Sequence, residues 1–551
     1  MSQRVPIDFD RYYAYDELTN YLQQVSIVCP EIAVMSSLGK SYQGRDIWLM
    51  TLTNRSSGAD NAKPAIYIEG NIHAGEVTAA QTVLCLIDRL VSGYGKDAFI
   101  SRLLDTRCFY VVPRVNPDGA ELYLTTPETL RSTVRPWPEP DIAEWPGLHP
   151  SDIDNNGYIL QMRLRDDKKG EWKISSKDTR IMIPREAADY GGPYYRILPE
   201  GMVSDYQGEP FPIIRTPYGI DMNRNFPSNW DPSLSTGGDF PTSEPEVRAV
   251  VEFITNHPNI GLVNSFHTSG GFFYRNPYQY GDDKIDQGDL RAMREIAREG
   301  TKVTGYIDVK SSNRACLPEW MYEHWGVIGY TTELWDRNGQ AGISRSEAQN
   351  ANDYEKREEL QVRLLQWNDR ELCGAGFFPW SEYDHPQLGS VEIGGWNPKY
   401  ALQNPPHFLL PAECHKNATW ALQQAACLPE VEIASLTQSY LGDGLWKVEA
   451  VVQNNGYLCT AASNKAMVIK AINPDYLLIE TKDVVGGLAK QEIGFLQGFG
   501  NAHTSGGYGG GVANSAARVS WIVRGVAEDT LTVTLNSIRG GRKEKAITLT
   551  E

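Results

Sequence analysis

The chain has 551 residues, 41% hydrophobic and 22% charged, the balance of a soluble globular protein too long for one ordinary core, so two domains are expected. Its net charge of −17 argues against a nucleic-acid partner, whose phosphates need clustered Lys and Arg. No apolar run approaches a membrane span and "MSQRVPIDFDRYYAYDEL" at the N-terminus has no apolar signal core, so no membrane association and a cytoplasmic location are expected.

Up to about residue 425, strand-like and helix-like segments alternate. "PAIYIEG" reads as a buried strand, and "EVTAAQTVLCLIDRLV" as the helix after it. The loop between them offers His73 and Glu76, two metal-capable side chains aimed from one strand–helix junction. "CFYVVPRVNPDG" is a strand running into a turn. A long polar stretch follows, about 120–216, which reads as an insertion over one face. Within it "DIDNNG" (Asp152 to Gly157) mimics the start of a calcium loop. Arg163 occupies the twelfth position, where such a loop needs a bidentate Glu, so a plain Asx/Gly turn is expected.

"DMNRNFPSNW" then places Asn223 beside Arg224, whose guanidinium suits bidentate capture of a carboxylate. In "SEPEVRAVVEFITNH" Ser243 and Glu246 have the spacing of a capping box. "LVNSFHTSG" ends an apolar run on His267, and "GVIGYTTELWD" ends another on Glu333. A second "HTSGG", at His503, has no apolar run before it and reads as a loop without function. The alternation argues for an α/β layer fold with a largely parallel sheet. After about residue 429 the texture changes to period two: Trp446, Val448, Ala450 and Val452 alternate with polar residues, as do Leu531, Val533 and Leu535. Residues 429–551 are therefore expected to form a small β-sandwich, with residues 1–428 as the first domain. The eight cysteines are scattered without a CxxC pair and read as unpaired structural thiols of a reducing compartment.

A catalytic zinc site needs three protein ligands, an open position and a base beside the activated water. His73, Glu76, His267 and Glu333 supply those types at strand ends, where α/β sheets build their sites. In this order, His73-Ala-Gly-Glu76, Asn223-Arg224-Asn225, His267 and the "TEL" around Glu333 resemble the zinc metallocarboxypeptidases of the carboxypeptidase A type (peptidase family M14). "NPDG" (Asn116–Gly119) and "SEPE" (Ser243–Glu246) also resemble that family's framework, and the resemblance covers about residues 10–425.

The resemblance implies a mixed central sheet flanked by helices with one zinc ion at its carboxyl edge, held by His73, Glu76 and His267. It makes Glu333 the general base and gives Asn223 and Arg224 the terminal carboxylate of a peptide or protein substrate. It also implies an arginine that polarises the scissile carbonyl, matched in "ILQMRLRD" by Arg163, with Arg165 as its rival; such donors contribute ~3 kcal/mol each. The family's substrate-closing tyrosine has no counterpart in register: Ser311 or Ser312 stands there, with Tyr306 and Tyr322 nearby. Pro318 offers no charge at the position that helps set side-chain preference, beside Glu319, which argues against a Lys/Arg-specific enzyme. The reading is a zinc carboxypeptidase. Its alternatives are a zinc amidase of the same fold acting on a γ-glutamyl or cell-wall peptide link, and a non-catalytic peptide-binding module.

Overall fold

The computed structural model describes residues 5–208, 210–275, 277, 279–311, 313–481, 483–501 and 514–550. Ser312 and His503, both weighed above, lie outside the described residues.

The first domain is built on a mixed eight-stranded sheet. Its strands are β1 (Ala33–Lys40), β2 (Asp46–Leu52), β3 (Ala65–Gly70), β4 (Cys108–Val112), β5 (Ile260–Thr268), β6 (Phe272–Arg275), β7 (Ile307–Lys310) and β8 (Ile328–Leu334). They lie in the order β1-β2-β4-β3-β5-β8-β6-β7. The four central strands β4, β3, β5 and β8 run parallel; β1–β2, β2–β4 and β8–β6 pair antiparallel, and β6–β7 pair parallel. β3 and β5 are buried at every position, which is why "PAIYIEG" and "IGLVNSF" read as continuous rather than alternating apolar runs. The helix after β3, α1 (Val77–Gly93), is buried from Val77 to Asp88 because it is sandwiched between the sheet and the helix Leu410–Ala426.

The insertion is more ordered than a loop laid over one face. Its strands Gln161–Arg165, Trp172–Ile174, Met182–Pro184 and Tyr195–Pro199 join the hairpin Phe377–His385/Gly389–Trp396 in a six-stranded antiparallel sheet. That sheet has a small core of its own around Leu160, Met162, Leu198, Val391 and Ile393. Inside it Asp152 to Gly157 forms an Asx turn, with the Asp152 carboxylate accepting from the backbone N–H of Asn156 and Gly157. The capping box of "SEPE" does not form. Pro245, with its fixed φ, takes the first helical position, so Glu244 becomes the N-cap of the helix Pro245–Thr255. Glu246 instead accepts the backbone N–H of Tyr42 at 2.9 Å.

From Val431 onward two four-stranded antiparallel sheets face each other over Trp446, Val448, Trp521, Leu531, Val533 and Leu535, all buried. Arg539 fastens this sandwich to the first domain. It is fully buried, has no carboxylate partner among the described residues, and donates to the carbonyl oxygens of Pro258, Trp325 and Ala461 at 2.8–3.2 Å. Burial brings its guanidinium down to about 9. None of the eight cysteines forms a disulfide. Among the described residues no helix is long and apolar enough to cross a membrane.

Candidate metal centre and active site

Three of the central parallel strands end beside one another, and each delivers a chemical group. β3 stops at Gly70, and the chain turns through Asn71, which adopts a left-handed φ of 59° and uses its side-chain amide to hold the carbonyls of His73 and Ala74 at 2.6 and 3.2 Å. Gly75 follows, with the Tyr123 ring so close that a Cβ there would lie 2.8 Å from it. Asn116 of the "NPDG" turn donates to the carbonyls of Ile72 and Ser132, tying this loop to the next segment. These contacts leave His73 and Glu76 facing inward. His267 arrives from the end of β5, and Glu333 is its register partner on β8.

His73, Glu76 and His267 are 3%, 2% and 1% exposed, so their donor atoms meet without competing solvent. His73 Nδ1 lies 2.9 Å from one Glu76 oxygen and His267 Nδ1 2.8 Å from the other, and the two Nδ1 atoms are 3.0 Å apart. The outer nitrogens have partners of their own. His73 Nε2 faces the Asp221 carboxylate at 2.9 Å and therefore donates to it. His267 Nε2 faces Ser265 Oγ at 3.1 Å, and that hydroxyl gives its own hydrogen to Glu69, 2.9 Å away. His267 Nε2 also lies 3.4 Å from the Asn223 amide nitrogen, so it sits between a hydroxyl and an amide. The two Nδ1 atoms and the Glu76 carboxylate converge on one point, a donor set that a single cation can satisfy. Two imidazoles and a carboxylate are the three-ligand set of a catalytic zinc site, and the residues present fit that ion.

Electrostatics follow from this crowding. Burial alone would raise the Glu76 carboxyl, but His73 and His267 overcome it and hold it well below the usual range. Burial raises Glu333 to about 8, and the nearby Glu76 charge adds to the shift. Burial holds His267 below its ordinary value.

Asn223 and Arg224 occupy the flank beyond His267. Asn223 Nδ2 is 3.4 Å from His267 Nε2, and Arg224 donates to the Asn223 carbonyl and to Asn313 Oδ1 at 2.8 and 2.9 Å. Ser311 is buried, with its hydroxyl accepting from Asn313 N. Tyr306 and Tyr322 are core residues, bonded to Glu413 and Asp289 respectively.

Arg163 and Arg165 do not join the site. Both lie on the strand Gln161–Arg165 of the insertion sheet. Arg163 makes a bidentate pair with Glu392 at 2.7 and 2.8 Å, beneath Trp380; Arg165 is exposed and pairs with Asp167. The arginine beside the cluster is Arg131, which donates to Glu76 Oε1 at 3.1 Å and to Asp221 Oδ2 at 3.2 Å while remaining about half exposed. Its backbone carbonyl also accepts from Ala74 N. Sequence reasoning missed both Arg131 and Asp221. The available sign was position: Asp221 immediately precedes the Met-Asn-Arg run, and "RSTVR" opens shortly after "NPDG".

Replacing Asp221 by Asn removes the anionic acceptor while preserving shape. Zinc affinity, measured by competition with a chelator, is expected to fall about 10- to 100-fold. Unchanged affinity would show that the carboxylate does not support His73.

A chain with this site falls in a class of metal-dependent hydrolase folds, and the comparison with known proteins makes the class specific. Residues 18–351 match the family model "Zinc carboxypeptidase", and residues 430–548 match a domain of unknown function, DUF8731. The chain belongs to the zinc carboxypeptidase family. It is 33% identical over 125 residues to a zinc carboxypeptidase of Saccharothrix mutabilis subsp. capreolus, an alignment covering 23% of this chain and 29% of that protein. It is 36% identical over 127 residues to carboxypeptidase B of Astacus astacus, covering 23% of this chain and 40% of that protein. The chain thus spans less than half the length of these two relatives. Among solved structures, that of thrombin activatable fibrinolysis inhibitor is 17% identical with a TM-score of 0.43, covering 77% of this chain and 76% of the other.

Proposed function

We propose that the protein is a zinc-dependent carboxypeptidase that hydrolyses the C-terminal peptide bond of its substrate. The observation that carries this reading is the convergence of His73 Nδ1, His267 Nδ1 and the Glu76 carboxylate, with both outer imidazole nitrogens already committed to Asp221 and Ser265. His73, Glu76 and His267 would hold a zinc ion, which when bound would supply Lewis acidity to the water and to the scissile carbonyl.

The chain's own groups supply the rest. The Arg224 guanidinium, steadied by Asn313 and the Asn223 carbonyl, pairs with the free carboxylate of the substrate and sets its register against the cluster. Arg131, already oriented by Glu76 and Asp221, offers N–H donors to the scissile carbonyl oxygen as charge develops there. With a cation in the neighbouring cluster, Glu333 would be held as the carboxylate, able to take a proton from the attacking water and return it to the leaving amine nitrogen.

The test is mass spectrometry of a mixed peptide library, with zinc supplied and then chelated, using each peptide as free acid and as C-terminal amide. Zinc-dependent loss of single C-terminal residues is expected. Amides should react about 10- to 100-fold more slowly, the loss of a hydrogen bond to a charged group. Equal rates for acid and amide would remove Arg224 as the clamp. A zinc-loaded protein that leaves every peptide intact would overturn the carboxypeptidase reading.

A further inference from the structure

We propose that Glu413 and Tyr306 are positioning residues for Glu333: through the backbone of Trp335 they hold the strand end that carries the general base. This rests on the carboxypeptidase reading above. The starting observation is a backbone conformation. Two residues beyond Glu333, Trp335 adopts a φ of 63°, in the left-handed region that a bulky L-residue rarely enters. Such a conformation persists only where its surroundings over-determine it, and it concentrates at functional sites.

The surroundings grip both the carbonyls and the amide of this turn. Gly271 N–H donates to the Glu333 carbonyl at 2.9 Å, and Gly270 N–H lies 3.1 Å from the carbonyls of Leu334 and Trp335. Gly271 has a φ of 70°, and a Cβ there would run into the Asp336 side chain, so only glycine makes this approach. On the amide side, the Trp335 N–H is shared between the Glu413 carboxylate and the Tyr306 hydroxyl, each 3.0 Å away. The Tyr306 hydroxyl gives its own hydrogen to the same Glu413 oxygen, to which Asn417 Nδ2 also donates at 3.2 Å. The other Glu413 oxygen pairs with Lys416 at 2.8 Å. The indole is buried, with Nε1 donating to the Ala401 carbonyl at 3.0 Å.

These bonds fix both peptide planes that flank Leu334, while the register of β8 on β5 fixes the chain before them. The Glu333 carboxylate can then move only about its own side-chain torsions. Glu413 is 4% exposed, so releasing the Trp335 N–H would leave a buried donor and a buried carboxylate short of partners. The effect of Glu413 and Tyr306 on the reaction runs through the position of Glu333, where a displacement of about 1 Å can cost on the order of 100-fold.

The experiment measures kcat and KM on one free-acid peptide, zinc content, and exchange of the Trp335 amide hydrogen. Glu413→Leu should retain zinc, keep KM within about two-fold of the parent and lower kcat at least about ten-fold. Glu413→Gln, which keeps an acceptor oxygen, should recover most of that loss. The Trp335 amide should exchange faster in Glu413→Leu, a readout independent of turnover. Tyr306→Phe reaches the same N–H from another element and carries the test if Glu413→Leu folds poorly; its kcat should fall at least about three-fold. Each substitution is then repeated in Glu333→Gln, where it should cost less than about two-fold, because the group it positions is already disabled. A merely structural role would lower kcat by the same factor in both backgrounds, and that result would overturn the inference. Parent kcat in both Glu413→Leu and Tyr306→Phe would overturn it too, leaving the carboxypeptidase reading standing. A parent protein that removes no C-terminal residue would overturn both.

Discussion

Glu333→Gln is expected to retain zinc and to lose turnover by roughly 10²- to 10⁴-fold, the contribution of a positioned acid–base group. The argument is positional. Glu333 is paired in register with His267 on the neighbouring parallel strand, so it stands beside a proposed metal ligand. It is half-buried, and the shift of its carboxyl to about 8 reports a site where burial and the neighbouring Glu76 charge act directly on it. Glutamine fills nearly the same space and leaves His73, Glu76 and His267 untouched. Metal content and thermal midpoint should therefore match the parent while kcat falls, with KM changing little. Turnover retained at the parent rate would remove Glu333 from the mechanism. Loss of zinc along with turnover would instead assign it a supporting role in the ligand set.

The parts of the site that were legible in the sequence are those where local pattern and function coincide. His267 and Glu333 each terminate an apolar run, and His73 and Glu76 sit at a strand–helix junction, so a reader of periodicity finds them at adjoining strand ends. Arg131 and Asp221 carry no such mark. Each lies in a polar segment, and their meaning comes from a meeting across 90 residues, with Arg131 bridging Asp221 and Glu76. The insertion sheet was hidden for the same physical reason. Its strands are three to five residues long, too short for a clear period, and Gln161–Arg165 pairs with Gly389–Trp396 more than 200 residues downstream. The C-terminal sandwich was the opposite case: long alternating strands such as Leu445–Asn454, with Trp446 and Trp521 buried at 1% exposure, declare their inner face directly.

The two arginines provide the sharpest contrast that these geometries allow. Arg131→Ala should lower kcat/KM by roughly 10²- to 10³-fold, because a preorganised donor to a developing oxyanion is lost. Part of that loss could arise through the metal, since Arg131 also touches Glu76 and Asp221, so zinc affinity must be measured on the same variant. A fall in kcat/KM with affinity unchanged isolates the donor's effect on the reaction. Arg131→Lys is the informative intermediate: one ammonium cannot reproduce a planar fork that meets two carboxylates from different segments, so it should recover only a fraction of the loss. Arg163→Ala should do the reverse. Its guanidinium is held by Glu392 and covered by Trp380 within the insertion sheet, so removal leaves a partly buried carboxylate unpaired. The thermal midpoint should fall while kcat/KM stays within about two-fold, the sign of a residue that acts on stability rather than on the reaction. If Arg163→Ala abolished turnover at full stability and Arg131→Ala did not, the assignment of the oxyanion donor made from this geometry would be wrong.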